Sequence, residues 1–276
     1  MTEPAGTVSL SEKYRLLQQR LQEPVRVAVA FSGGVDSSLL LRVSCDVLGH
    51  DNVLALTAVS PSFPAFEQEE SRHFCRTLGV RQLTVSSDEL DLPAFVQNSP
   101  RRCYHCKHQL FSRLLKRAAG EGFPLLLDGS NLDDCDDYRP GREALAELEI
   151  SSPLLEAGFS KAEVRKLSYE LGLPTWDKPP FACLASRFPY GTEITRERLH
   201  QVERCEEFLR QRDFRSYRVR YHNEIARIEV AAEEIDRLFD ESLRSELVAT
   251  CKAAGFSYIA LDLEGYRSGS LNETLP

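Results

Sequence analysis

The chain has 276 residues and a mass of 31.2 kDa, enough for one large domain or two modest ones with a substantial core. Its composition, 42% hydrophobic and 28% charged with 15 glycines and 14 prolines, excludes the disordered, collagenous and low-complexity classes. No apolar run reaches the roughly 18–20 residues of a membrane span and the N-terminus has no apolar signal core, so a cytoplasmic protein without a membrane partner is expected, and a net charge of -8 argues against a nucleic-acid partner.

Leu10, Tyr14, Leu17 and Leu21 recur at helical spacing and predict a helix over 9–22, stopped at Pro24. The apolar run VRVAVAF (25–31) predicts a buried strand, SGGVDSS a glycine turn, and Leu39, Leu40, Leu41, Val43 and Val47 the helix that follows. The rhythm then repeats: strand 53–60, a helix around Glu67–Leu78 ending at Gly79, strand 82–87, a helix from about Tyr104 to Ala119, and strand 124–130. Strands alternating with helices, several apolar on both faces, predict an α/β fold with a parallel sheet covered on both sides. Ligands of such sheets bind at the carboxyl ends of the strands, where Ser32–Ser38, Thr57–Ser60 and Asp128–Asp134 fall.

From about 190 the rhythm changes to helix 195–211, strands 217–222 and 225–230, helix 232–254 and strand 257–263. This predicts two domains, 1–189 and 190–276, the second a smaller α+β domain. With Asn223 and Glu224 as a two-residue turn, Tyr217, Val219, Tyr221, Ala226, Ile228 and Val230 share one face of the hairpin. The other face carries Arg218, Arg220, His222, Arg227 and Glu229, with Arg220 opposite Arg227 and Arg218 opposite Glu229. Like charges so opposed are unfavourable unless an anion separates them. A solvated sheet face and an anion site both fit this pattern.

In Ser32-Gly33-Gly34-Val35-Asp36-Ser37 the glycines let the backbone bring its N–H groups close to a phosphate. The following helix N-terminus adds partial positive charge, and Ser32 and Ser37 add hydroxyl donors. Asp36 is unexpected in a cradle built only to receive an anion and suits either holding the loop or approaching a phosphate-bound magnesium ion. The G-x-x-x-x-G-K-[ST] pattern is absent. SGGVDS after an apolar strand resembles the loop of the PP-loop ATP pyrophosphatases, which transfer AMP to an oxygen and release pyrophosphate. That resemblance implies ATP and Mg2+ at Ser32, Gly33, Gly34, Asp36 and Ser37, with Asp36 and Ser37 in catalysis. It also implies Thr57 and Ala58 near adenine and Gly129 near the nucleotide.

Eight cysteines in a chain expected to sit in a reducing compartment favour thiol, metal or redox roles over disulfides. Cys103 and Cys106 form a C-x-x-C at a helix start beside Arg101, Arg102 and Lys107, a setting that favours thiolates. Alone, the pair fits half a zinc site, a redox pair or chance. Cys45, Cys75, Cys205 and Cys251 fall at mostly apolar helical positions and read as core. Cys135 lies in an acidic loop.

RCYHCK, LLLDGSNLDDCDDYRPGREA, CLASRFPYGTEIT, YRVRYHNEIARIE and LDLEGYRSGSLNE together resemble the LarE family, the PP-loop sulfur transferases of nickel-pincer nucleotide biosynthesis. The resemblance spans about residues 26–273. It implies adenylylation of a carboxylate of pyridinium-3,5-biscarboxylic acid mononucleotide, then replacement of that oxygen by sulfur. One type in the family uses a sacrificial cysteine; the other holds a 4Fe-4S cluster on three. Cys103, Cys106 and Cys183 match the second type and imply exogenous sulfide as sulfur source, with Cys183 as sacrificial donor or a tRNA thiolase as the alternatives. Arg218 and Arg220 would bind the substrate phosphate, and the family implies a homohexamer. Asp128, Asn131, Asp133, Asp134, Tyr138, Arg139 and Arg187 line the same cleft on this reading. Turn formation is the plainer role of the Asn and Asp residues.

Overall fold

The computed structural model describes residues 8–135, 140–180, 182–267 and 269–270. In chain order the first half forms α1 (Leu10–Gln22), β1 (Val27–Ala30), α2 (Val35–Leu48), β2 (Val53–Val59), α3 (Ala65–Leu78), β3 (Arg81–Ser86), α4 (Pro93–Val96), α5 (Arg102–Gly120) and β4 (Leu125–Leu127). There follow α6 (Gly141–Glu147), α7 (Pro153–Glu156), α8 (Lys161–Glu170), α9 (Arg196–Gln211), β5 (Tyr217–His222), β6 (Ile225–Val230), α10 (Glu241–Ala254) and β7 (Tyr258–Leu261). No helix among the described residues is long and apolar enough to cross a membrane.

The chain divides into two compact units that interleave. The first takes Met1–Ser60, Ala65–Ser87 and Cys103–Pro180; the second takes Pro61–Pro64, Asp88–Arg102 and Phe181–Pro276. The sequence pattern placed one boundary at 189/190, whereas here the segments after β2 and β3 also fold with the C-terminal part.

In the first unit four strands pair in parallel in the order β3-β2-β1-β4. Alternation along β1 feeds both faces. Val27 and Val29 pack with Leu17 and Leu21 of α1, Leu39 to Leu41 of α2 and Val164 and Leu167 of α8. Ala28, with Leu54 and Leu56 of β2, packs with Phe111, Leu114 and Ala118 of α5 and Leu145 of α6. The expected parallel α/β sheet with helices on both faces is therefore present. After β1 the chain steps outward through β2 and β3 and returns to β1's other side as β4. That makes the carboxyl ends of β1 and β4 the topological switch point, the usual ligand position of such sheets.

The second unit contains a sheet of order β5-β6-β7, the first pair antiparallel and the second parallel. The hairpin has the expected register, Arg218 opposite Glu229 and Arg220 opposite Arg227, and Asn223 in the turn takes φ 57°. The helix expected over 232–254 is instead a 3-10 segment, Ala232–Phe239, followed by α10. Asp240 makes the break: its side chain accepts from the Leu243 N–H at 2.9 Å and caps a new helix.

Candidate active site

The glycine turn sits at the carboxyl end of β1, with Gly34 as the N-cap of α2 and no side-chain cap on that helix. Its first-turn N–H groups therefore keep their capacity for an external acceptor, reinforced by the helix dipole. The loop is braced internally. Ser32 and Ser37 hydroxyls lie 3.1 Å apart, Ser37 Oγ donates to Gly34 O (3.2 Å) and accepts from Ser32 N–H (3.3 Å). Gly33 takes φ +76°, and a Cβ there would stand 3.3 Å from Ser71 Cβ of α3, so both conformation and space select glycine. At Gly129 the reason is space alone: a Cβ would stand 3.0 Å from Ser37 N, so the β4 loop lies directly against the first turn of α2.

Asp36 is held from two sides, by Asn131 Nδ2 donating to Oδ1 at 3.0 Å and by the Lys161 ammonium on Oδ2. Lys161 is the first residue of α8, and its backbone N–H donates to Asp133 Oδ2 at 2.5 Å. Lys178 reaches the loop as well: its ammonium donates to Gly33 O (3.2 Å), Glu67 Oε2 (2.6 Å) and Glu70 Oε2 (2.7 Å). Neither lysine was singled out from the sequence. Each lies more than a hundred residues from its partner, and the only signal was a lysine beside a helix cap (Ser160-Lys161) or a proline pair (Lys178-Pro179).

Thr57 is buried, donates to Phe31 O (2.9 Å) and accepts from Gln82 Nε2 (2.7 Å), which also reaches Ser71 Oγ (3.2 Å). In this arrangement the hydroxyl braces the loop; Ala58 follows it, half-buried, on β2. Asp128 is buried and accepts from the Ser130 hydroxyl (2.7 Å) and from that of Ser152. Asp134 accepts from Asn131 N–H (3.0 Å), and Asn131 Oδ1 from Asp133 N–H (3.0 Å), the turn-forming role that Asn and Asp commonly take. Tyr138 and Arg139 lie outside the described residues.

The cysteines separate by accessibility. Cys45, Cys75, Cys205 and Cys251 are buried, as their apolar positions predict; Cys103, Cys135 and Cys183 are exposed and Cys106 is half-buried. Burial pushes the Cys45 and Cys75 thiols up to about 12. Cys103 and Cys106 stand one turn apart at the start of α5 in the first unit. Cys183, in the second unit, is exposed as a residue, yet its sulfur faces inward. There desolvation raises the thiol pKa, a hydrogen bond with Ser62 lowers it and the Glu89 carboxylate raises it. Cys103, Cys106 and Cys183 are free thiols, the donor type that an iron–sulfur cluster takes. Among the described residues, however, no three His, Cys, Asp or Glu side chains gather within reach of one metal ion.

Arg187 lies four residues after Cys183 and is fully buried. Its Nε and Nη2 donate to the two Glu206 oxygens, both at 2.8 Å, and its Nη1 to Ala182 O (2.7 Å) and Cys183 O (3.2 Å). Arg220 makes a matching bidentate pair with Glu229 (2.9 Å twice) and donates to Ser186 O (2.8 Å) and Ser270 Oγ (3.0 Å). Arg227 donates to the same Glu229 at 2.9 Å. The opposed arginines are thus separated by an anion, the carboxylate of the neighbouring residue pair, and this face is buried at Arg218, Arg220 and Glu229. Arg218 donates to Tyr217 O (2.6 Å) and lies over the Tyr266 ring, 4.9 Å from its centroid. Burial, then the charge of Arg187, pulls its guanidinium down to about 10.

Comparison with known proteins gives this geometry a family. The NAD synthase family model matches residues 10–109. A pyridinium-3,5-bisthiocarboxylic acid mononucleotide synthase of Lactiplantibacillus plantarum is 40% identical over 97% of this chain and 96% of its own length. The chain belongs to the LarE family. An uncharacterized protein of Synechocystis sp. is 44% identical to this LarE family member over 96% of the chain and 99% of its own length. A tRNA-specific 2-thiouridylase of Rhizobium etli is 29% identical over 63% of the chain and 53% of its own length. The glycine turn falls within the stretch matched by the NAD synthase model, whereas the LarE-family likeness continues through Cys183 and the arginine strand.

Proposed function

We propose that this protein is an ATP-dependent sulfur transferase acting on pyridinium-3,5-biscarboxylic acid mononucleotide, the observation that carries the reading being its near full-length likeness to the Lactiplantibacillus plantarum synthase. The glycine turn at the switch point supports ATP as co-substrate. The N–H groups at the start of α2 take the phosphates, Ser32 and Ser37 hold the loop in shape, and Asp36 holds Mg2+. A carboxylate oxygen of the substrate attacks the α-phosphorus, pyrophosphate leaves, and the carboxyl carbon then carries AMP. Sulfide attacks that carbon, the C–S bond forms as the C–O bond to AMP breaks, and a thiocarboxylate results. Gly129 keeps the β4 loop against α2, and Thr57 and Ala58 lie on β2 beside β1, where adenine is proposed to sit.

Arg218 and Arg220 bind the substrate phosphate on this reading. An anion beside Arg218 would offset the burial that depresses its pKa. Arg187 serves that site by fixing the backbone at Cys183. Cys103, Cys106 and Cys183 would hold a 4Fe-4S cluster, whose chemistry there would be the delivery of sulfide. The enzyme works in the cytoplasm as a homohexamer built through its C-terminal domain.

The test is anaerobic purification with iron and sulfide analysis, then an assay with ATP, the dicarboxylate mononucleotide and sulfide. Iron and labile sulfide in the protein, many thiocarboxylates formed per chain, and a Cys183→Ala variant that still releases pyrophosphate but makes no thiocarboxylate are expected. An iron-free protein that makes one product and loses the elements of hydrogen sulfide from Cys183 would establish the sacrificial route instead.

A further inference from the structure

Lys178 sits among more negative charge than a structural lysine needs. Its ammonium faces one carbonyl, Gly33 O, and two carboxylates, Glu67 and Glu70. The carboxylates are not equivalent: the Glu67 side chain is 4% exposed and that of Glu70 53%. Glu67 is a buried carboxylate on α3 whose pKa burial raises and the Lys178 charge lowers, so losing its partner would leave that carboxylate stranded in the fold. Glu70 lies one turn along α3 and half in water, where an ion pair is weak and readily given up. The ammonium is anchored to the carbonyl of the residue that opens the glycine turn. It therefore stands at the glycine turn, whose N–H groups at the start of α2 would meet a polyphosphate, and phosphate oxygens are stronger partners for it than a solvated carboxylate.

We propose that Lys178 is a further nucleotide-binding residue and that Glu70 occupies it in the nucleotide-free state, so that entry of a polyphosphate exchanges the Glu70 carboxylate for a phosphate oxygen while Gly33 and Glu67 keep hold of the ammonium. This rests on the reading of the glycine turn as an ATP site. The arrangement makes Glu70 a competitor of the nucleotide, so its removal strengthens binding while removal of the Lys178 charge weakens it for the polyphosphate and not for AMP, a pair of opposite effects that a purely structural role for the Lys178 cluster would not produce.

Calorimetric titration of the full chain with Mg-ATP and, separately, with AMP tests this. Lys178→Met is expected to raise the Kd for Mg-ATP roughly tenfold to hundredfold and leave that for AMP within about twofold, as for loss of one charge-assisted hydrogen bond. Lys178→Arg should recover most of the loss, and Glu70→Gln should tighten Mg-ATP binding by about two- to fivefold, the scale of an exposed ion pair. Because Lys178→Met strands Glu67, the double variant Lys178→Met/Glu67→Gln is measured beside it and should show the same selective loss. Equal losses for ATP and AMP, or Glu70→Gln binding Mg-ATP no more tightly than the parent, overturn the inference. A parent chain that binds no Mg-ATP overturns the ATP site itself.

Discussion

Around the glycine turn, Asp36 with Lys161 and Lys178 with Glu70 form ion pairs that stand partly in water, each joining elements more than a hundred residues apart in sequence. At the arginine face of the second unit the carboxylates are closed off from water: Arg187 is 0% exposed against Glu206, and the Glu229 that receives Arg220 and Arg227 is 1% exposed. The same residue types thus serve opposite ends. Half-solvated pairs cost little to open and suit a site that must admit an anion and a cation; buried bidentate pairs are costly to break and fix backbone geometry.

The largest expected effect lies on the closed side. Arg187→Met should cost about 3–5 kcal/mol in urea denaturation, because the buried Glu206 carboxylate loses its partner, and Arg187→Met with Glu206→Leu should recover most of that. A single variant as stable as the parent would erase the contrast. On the open side, Gly129→Ala puts a Cβ 3.0 Å from Ser37 N, where only backbone movement relieves the contact. The expected cost is about 1–3 kcal/mol in the same measurement, together with a fall in pyrophosphate release. Unchanged release would show that the turn tolerates displacement.

The smallest effect concerns the thiols. Alkylation of the native chain near pH 8, read by peptide mass spectrometry, should modify Cys103, Cys106 and Cys135, reach the desolvated Cys183 thiol more slowly, and spare Cys45, Cys75, Cys205 and Cys251. Burial raises the folded-state pKa of Cys45 and Cys75 from 9.0 to about 12. Their contribution to stability is therefore complete below pH 9 and declines as the pH rises toward 12, where the unfolded chain alone releases those protons. Stability that holds constant over that alkaline window would contradict it.

Local order in the chain made much of this readable. The hairpin register followed from strict alternation on either side of Asn223-Glu224, and the glycine turn was contiguous in sequence. What escaped was long-range or marginal. Lys161 and Lys178 meet Asp36 and Gly33 only through the fold. Helices α6, α7 and α8 lie in a stretch with no strand rhythm to frame them, α7 having only four residues. The basic face of β5 was equally compatible with water and with an anion. Glu229 was visible there, but its buried bidentate geometry was not, and nothing marked Glu206 as the partner of Arg187.

The backward reach of Arg187 to the carbonyls of Ala182 and Cys183 sets a spacing rule for anyone who moves this segment into another protein. One guanidinium, clamped by a helix that begins nine residues later, fixes the backbone at the cysteine, so the count from Cys183 to Arg187 matters as much as their identities. Inserting or deleting a single residue between them would keep both Cys183 and Arg187 and lose the cysteine's placement, and a transplanted CLASR segment would need its Glu206 to travel with it.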